Sequence, residues 1–341
     1  MTVPSLLPKY PRRRHGPQGR LDLSDAWHGQ SYYGQPALKN PQWDWKVSGY
    51  IAVAGAAGAA QALSFLGSLR DREVFRGARR NANLIGLAGA AAGSALLIAD
   101  LKTPKRFYNM LRILRPTSPM SLGTYILGAF GVTTAVSALG DLAPMRRRPA
   151  LRRVADVAQA GAALSGAGAA TYTAALMSAT SNPYWAAAPR GLGAQFATSA
   201  VAAGAAALAL GERAGGRSGS ARRLEDVAAC AAASHVVASL AASAGRRASG
   251  VGPGPGEGGQ PSGSTKAVVM GALPLAAYAM GRASRSPPLA VSASLALIAG
   301  SFLLRHHMLE QGKRAARRPA TGFRFAQPHN LPRRRRLDRS G

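Results

Sequence analysis

The chain has one cysteine, Cys230, in 341 residues. A single thiol excludes a disulfide framework and also a cysteine-ligated iron–sulfur cluster, so any such cluster must come from a partner. Acidic residues are scarce as well, with 14 Asp plus Glu against 43 Lys plus Arg. None of those carboxylates falls in the middle of an apolar run, because Asp156, Glu212, Glu225 and Asp226 all sit near run boundaries. Proteins that carry protons fully across a bilayer place acids deeper, so this chain alone is not expected to do so; His235, Tyr172 and water offer a partial path only. Histidine numbers six, of which only His235 lies mid-run, while His306 and His307 close the last run and His15, His28 and His329 lie in the tails. A bis-histidine haem across two helices cannot be assembled from that set, and no haem or metal site is expected. His235 itself reads as a helix-to-helix hydrogen bond, with a site role kept open because it is ionisable within a membrane span.

Apolar residues make up 47% of the chain, yet its mean hydropathy is only −0.02. The two numbers are reconciled by position, since Arg and Lys fall in the gaps between apolar runs and in the tails. A net charge of +29 would suit nucleic acid if it formed a basic face with interleaved aromatics, but here it flanks apolar spans, so no nucleic-acid partner is expected. The fitting partner for those loops is anionic lipid. Arg12, Arg13 and Arg14 resemble a twin-arginine signal only superficially, because no apolar stretch follows until about Val47.

Crossing a hydrocarbon core of about 30 Å takes roughly 20 mostly apolar residues at 1.5 Å rise each. Eight segments qualify, near residues 47–67, 83–99, 120–139, 155–178, 191–211, 226–245, 266–282 and 287–304, the seventh being the thinnest. The expected fold is therefore all-α, a polytopic membrane helix bundle of about eight spans in the cell membrane. It divides into a basic, aromatic lead-in over 1–46, a transmembrane domain over 47–304 and a basic, disordered tail over 305–341. Within the domain, 249–265 reads SGVGPGPGEGGQPSGST, a composition that supports no packed core and makes a flexible loop. Small residues such as Gly89 and Gly93 in span two are read as close helix packing without chemistry. The loops of both faces are basic, so the positive-inside rule leaves the sidedness open.

An even span count puts three features on one face. The first is the lead-in YYGQPALKNPQWDWKVSGY, which spreads Tyr32, Tyr33, Trp43, Trp45 and Tyr50 around the depth where amphipathic rings sit as an interfacial belt. The second is DLKTPKRFYNMLRILRPTSPMSLG from Asp100 to Gly123, a basic, aromatic, proline-punctuated loop between two spans. Asp100, where span two leaves the membrane, is expected to pair with Lys102, Lys105 or Arg106, as a plain capping pair or as a proton carrier beside a redox ligand whose oxygen Lys105 and Arg106 polarise. The third is the end of span four, ATYTAALMSATSNPYW, which places Tyr172 about 9 Å inside the boundary, where its hydroxyl needs a hydrogen-bond partner such as a quinone or backbone carbonyl.

At these residues the chain resembles the NrfD family, the membrane subunits of polysulfide-reductase-type complexes. The resemblance is carried by YYGQPALKNPQWDW, by LLIADLKTPKRFYNMLRILRPTSPMSLGTY and by YTAALMSATSNPYWA, and more weakly by GSFLLRHHMLEQGK at the end of span eight. It implies an eight-span subunit that binds menaquinone or ubiquinone, holds no redox cofactor, and docks an iron–sulfur subunit with four-cysteine clusters and a molybdopterin catalytic subunit acting on formate or a sulfur compound. By likeness the quinone site comprises Tyr50, Asp100, Lys105, Arg106 and Tyr172, and the docking face Arg106, Phe107, Arg112 and Arg115. One departure stands out: where some members carry polar ligands just inside span one, this chain has Val47, Ser48 and Gly49, which leaves Tyr50 as the substitute. Two other readings compete. A purely structural anchor needs neither Asp100 nor Tyr172, and a small-solute transporter predicts broken helices with polar ligands at mid-membrane.

Overall fold

The computed structural model describes residues 38–112, 114–142, 148–251, 272–281 and 286–318, with 321, 322 and 325. Arg12 to Arg14, Tyr32, Tyr33, most of the 249–265 loop and the far ends of both tails lie outside the described residues. All regular structure among the described residues is helical. Eight helices follow in order: α1 (Trp45–Arg70), α2 (Arg76–Ala99), α3 (Pro119–Leu139), α4 (Pro149–Ser178), α5 (Pro189–Ala214), α6 (Ser218–Ala248), α7 (Ala272–Gly281) and α8 (Pro287–Ala316). A 3₁₀ helix, Pro104–Leu111, lies between α2 and α3, and a one-turn helix, Pro183–Ala186, between α4 and α5.

Proline sets many of the starts. It is the first residue of α3, α4, α5 and α8 and of both short helices, where its fixed φ suits the helix and its missing N–H would have no partner anyway. Asp44, Ser118 and Asn182 then cap α1, α3 and the one-turn helix with their side-chain oxygens, satisfying orphan amides of the first turn.

Among the described residues, six helices are long and apolar enough to cross a membrane: α1, α2, α3, α5, α6 and α8. Helix α4 has 30 residues, but its apolar positions are mostly Ala and Gly, with Ser and Thr interspersed, which lowers its hydropathy without shortening it. Its outward Val157 and Leu164 are 73% and 79% exposed, as a lipid-facing stripe would be. The expected all-α, multi-pass membrane bundle is the fold observed. Boundaries differ where basic residues ride on helix ends: α2 starts at Arg76 rather than 83, α6 at Ser218 rather than 226, and α8 continues to Ala316, so the stretch after 304 begins as helix. Hydropathy ends at the first charge, whereas the backbone ladder continues through Arg and Lys, which are good helix formers.

Helices α1 and α5 are the inner elements, with 56% and 67% of their apolar windows buried against 28% in α2 and in α3. Helix α1 is apolar all round, the pattern of a buried helix. It touches α2, α4, α5 and α8. The closest approach is at Gly58, where a Cβ would sit 2.2 Å from the Gly166 carbonyl oxygen of α4. Gly89 and Gly93 do what the sequence implies, facing Ala57 and Tyr50 of α1 across the α1–α2 seam.

Candidate functional site

One end of the bundle collects the N-terminus of α1, the C-terminus of α2, the 3₁₀ helix, the turn after α4 and the last third of α8. Asp44 accepts from the backbone amide of Lys46 at 2.7 Å and from its ammonium group. The same Lys46 Nζ lies 3.8 Å from Asp100 Oδ1, so one lysine bridges two carboxylates and ties the start of α1 to the end of α2. Burial holds the Asp100 carboxyl above the usual carboxylate range, helped by the nearby Asp44 charge and opposed by Lys46. The Lys46 hydrogen bond holds Asp44 below it.

This corrects the expected partner of Asp100. Lys102, Lys105 and Arg106 are exposed, and among the described residues the cation within ion-pair distance of Asp100 is Lys46. The chain bends at 101–103 and restarts at Pro104 as a 3₁₀ helix, with Arg106 at φ −103°, ψ 17°, which carries the neighbouring cations outward while antiparallel packing brings Lys46 in. Lys105 and Arg106 are therefore not gathered with the other proposed quinone residues.

Tyr50 lies one helical turn from Lys46 on the same face of α1. It is 4% exposed, and its hydroxyl is buried with no hydrogen-bond partner among the described residues. Tyr172 rests on α3, where a Cβ at Gly123 would be 2.3 Å from its ring and 2.8 Å from its hydroxyl; no hydrogen bond joins that hydroxyl to another described residue. Both tyrosines belong to one apolar cluster, together with Trp43, Leu96, Met177 and Trp185.

Several contributors escaped the sequence. Trp185, in the one-turn helix, stacks on Trp43 with centroids 5.6 Å apart at 19°, and its indole N–H donates to the Met308 carbonyl at 2.9 Å. Asn182 donates to the Gly312 carbonyl at 2.8 Å, so the turn after α4 is fastened to α8. Ser48, in the very stretch that departs from the family pattern, lies 3.3 Å from His306 Nδ1, and His306 stacks on Phe302. The signal available for these was the Asn–Pro–Tyr–Trp turn and the Trp–Asp–Trp–Lys start of α1, but not their partners.

The 3₁₀ helix presents Phe107, Tyr108 and Leu111 at 40%, 53% and 51% exposure, flanked by exposed Lys105, Arg106, Arg112 and Arg115. It is held in place rather than loose: Tyr125 of α3 donates its hydroxyl to the Leu111 carbonyl at 2.9 Å, and the Arg115 amide donates to Ser121 Oγ at 3.1 Å. Apolar rings between arginines, with no buried face of their own, form a surface suited to another protein.

Comparison with known families places residues 36–228 on the family model described as polysulphide reductase, NrfD. No curated protein matched the chain. The matched part runs from the lead-in through the start of α6 and takes in Trp43, Asp44, Lys46, Tyr50, Asp100, the 3₁₀ helix, Tyr172 and Trp185, whereas α7, α8 and the GSFLLRHHMLEQGK segment fall beyond it. Since more than half of the chain matches, with the site residues inside the match, this multi-pass membrane protein belongs to the NrfD family.

Proposed function

We propose that the chain is the membrane anchor and quinone-reactive subunit of an oxidoreductase complex, working with an iron–sulfur subunit and a molybdopterin catalytic subunit in the cytoplasmic membrane. The observation that carries this reading is the Tyr50 hydroxyl, buried and without a partner among the described residues, one turn from the Asp44–Lys46–Asp100 group. A hydroxyl in that position lacks an acceptor, and a quinone carbonyl is one. Tyr50 would donate to the substrate oxygen while Lys46 keeps positive charge beside it. Asp100, with its carboxyl raised by burial, can carry the proton that a two-electron, two-proton quinone–quinol conversion requires in either direction. Tyr172 and the Trp43–Trp185 stack would form the apolar walls. Electrons come from or go to a cluster on the partner, which the 3₁₀ helix would seat through Phe107, Arg106, Arg112 and Arg115. Menaquinone and ubiquinone share the carbonyl chemistry, and formate or a sulfur compound would be oxidised or reduced on the catalytic subunit.

The test is purification of the tagged protein in mild detergent, with partner identification, iron and molybdenum assay and extraction of bound quinone. An iron–sulfur partner with near-stoichiometric quinone, the latter lost in Asp100→Asn, is the expected result. Partners without quinone, and quinol-linked activity untouched by Asp100→Asn, would reduce the chain to a structural anchor; recovery of neither would overturn the assignment.

A further inference from the structure

Helix α8 carries Arg305 with no exposed surface at all. Its Nη1 donates to Ser199 Oγ at 3.1 Å, to the Ser301 carbonyl at 2.8 Å and to Ser301 Oγ at 2.6 Å, and its Nη2 to the Phe196 carbonyl at 3.4 Å. The guanidinium lies over the Phe196 ring at 5.1 Å. Among the described residues its Nε is buried without a partner, and no carboxylate lies within ion-pair distance of it. An arginine keeps its charge in a protein interior, and an uncompensated charge within a membrane bundle is costly enough that a counter-charge is expected beside it.

The place for that counter-charge adjoins it. A cavity lies between α5, α6 and α8, lined by Ser199, Ala202, Ala232, His235, Leu297, Gly300 and Ser301. It is small, with room for about one water-sized particle, and its walls are otherwise Ala, Leu and Gly. Several hydroxyls elsewhere in the bundle return their protons to the carbonyl four residues back, as Thr133, Ser165, Thr198, Ser292 and Ser294 do. Ser199 and Ser301 instead accept from Arg305, so their own protons, polarised by the cation behind them, are left for the cavity. His235 supplies no negative charge: Thr198 already donates to Ala194, so the ring Nδ1 donates to Thr198, and Nε2 accepts from Ser239. Arg246, 6% exposed, is the second buried cation of the region, reaching Gln195 Oε1 at 3.3 Å. Around the cavity, the buried charges on α6 and α8 are thus positive and donors are plentiful.

We propose that this cavity binds one small monovalent anion, chloride under ordinary ionic conditions, through the Ser199 and Ser301 hydroxyls with Arg305 behind them. Oxyanions are far too large for it; chloride, somewhat wider than a water, enters when the Ser199 and Ser301 side chains give way slightly, and a water would satisfy the donors without offsetting the charge. The site is separate from the quinone reading and stands or falls without it.

The experiment takes the purified full-length protein in detergent, exchanged into sodium gluconate and titrated with sodium chloride at constant ionic strength while the thermal unfolding midpoint is followed. A saturable rise is expected, as for any ligand that binds only the folded state. Ser199→Ala with Ser301→Ala keeps the guanidinium and should move the half-saturating chloride at least tenfold higher. Ala232→Val, which fills the cavity while leaving every polar side chain of its lining in place, should abolish the response and serves if the double variant does not fold. A wild-type midpoint indifferent to chloride leaves only water in the cavity, and an identical titration in the variants places the ions on the basic exterior; either result overturns the proposal.

Discussion

Replacing Tyr50 by Phe separates a role in packing from a role in binding, because the two predict opposite signs. The ring of Tyr50 fills space between α1 and α2, with its Cδ2 3.5 Å from where a Gly93 Cβ would be, and Phe fills the same space. The hydroxyl is buried with no hydrogen-bond partner among the described residues, and an unsatisfied buried polar group costs about 1–3 kcal/mol. Tyr50→Phe should therefore raise the stability of the quinone-free protein by about 1–2 kcal/mol, read as a higher thermal midpoint. In the complex the same hydroxyl would be donating to substrate, and a net hydrogen bond of about 0.5–1.5 kcal/mol corresponds to roughly two- to tenfold in quinone affinity. Quinol-linked turnover measured against quinone-analogue concentration should show that loss in KM, while artificial-dye activity of the catalytic subunit stays unchanged. A variant less stable than wild type by 1 kcal/mol or more would refute the premise that the hydroxyl lacks a partner. Unchanged quinone kinetics would refute its use.

Three further outcomes follow from the geometry. Gly58→Ala drives a Cβ into the backbone of Gly166 on α4, which no side-chain rotation relieves, so α1 and α4 must separate and the thermal midpoint should fall by the equivalent of about 1–3 kcal/mol; an unchanged midpoint would mean that the two helices do not touch there. Because burial raises the folded-state pKa of Asp100 above its ordinary 3.8, the folded protein binds that proton more tightly than the unfolded chain. Stability is then lost as pH climbs from about 3.8 through the raised value, and midpoints measured across that window should decline more in wild type than in Asp100→Asn; parallel curves would contradict the burial argument. Phe107→Asp and Arg112→Glu, both at exposed positions, should leave the stability within about 0.5 kcal/mol of wild type yet release the proposed iron–sulfur subunit during purification, with loss of iron from the eluate.

The bundle was legible because lipid demands long apolar runs and the chain marks their ends. Helix α3 (Pro119–Leu139) falls almost on the expected 120–139, since Ser118 caps it and Pro119 starts it. The end of α4 at Ser178, and Tyr172 within it, were placed equally well. What was lost lay in helix turns that carry charge, as at Arg76 to Arg80, and in partners distant along the chain. Asp100 has three cations within six residues, and proximity in sequence points to them. Only the antiparallel packing of α1 on α2 puts Lys46 there, and that is a property of helix pairing, which apolar periodicity does not specify. Ser48 was read as an absence of ligands, although the same residue reaches His306 on the last helix. Trp185 was quoted within a motif, but its partners on α8 are more than a hundred residues away.

The two ends of the bundle are held differently. At the far end, Glu212, with no exposed surface, accepts from Asn81 at 2.7 Å, from Arg217 at 2.8 and 2.9 Å and from Ser220. Beside it, Gln61 donates to Asn83, Asn83 to Asp141, and Arg79 pairs with Asp141 and Asp156. Helices α2 to α6 are thus knotted by charge-assisted bonds at one end, with α1 joined to them through Gln61, whereas the site end is joined by ring stacking, by the side-chain bonds of Ser48, Asn182 and Trp185 to α8, by Arg246 to the Tyr184 carbonyl and by the 3.8 Å bridge of Lys46 to Asp100. The charged end is where the register of the helices is fixed, away from the aromatic end. Glu212→Gln should therefore be costly without touching quinone chemistry. The amide cannot accept at both atoms, so at least one donor is orphaned, while Arg217, 42% exposed, turns to water and softens the penalty below that of a fully buried pair. A loss of about 2–3 kcal/mol in thermal stability is expected, with quinone KM unaltered in the surviving complex. A variant that kept its stability but changed KM would show that the far end shapes the site instead of merely fixing the bundle.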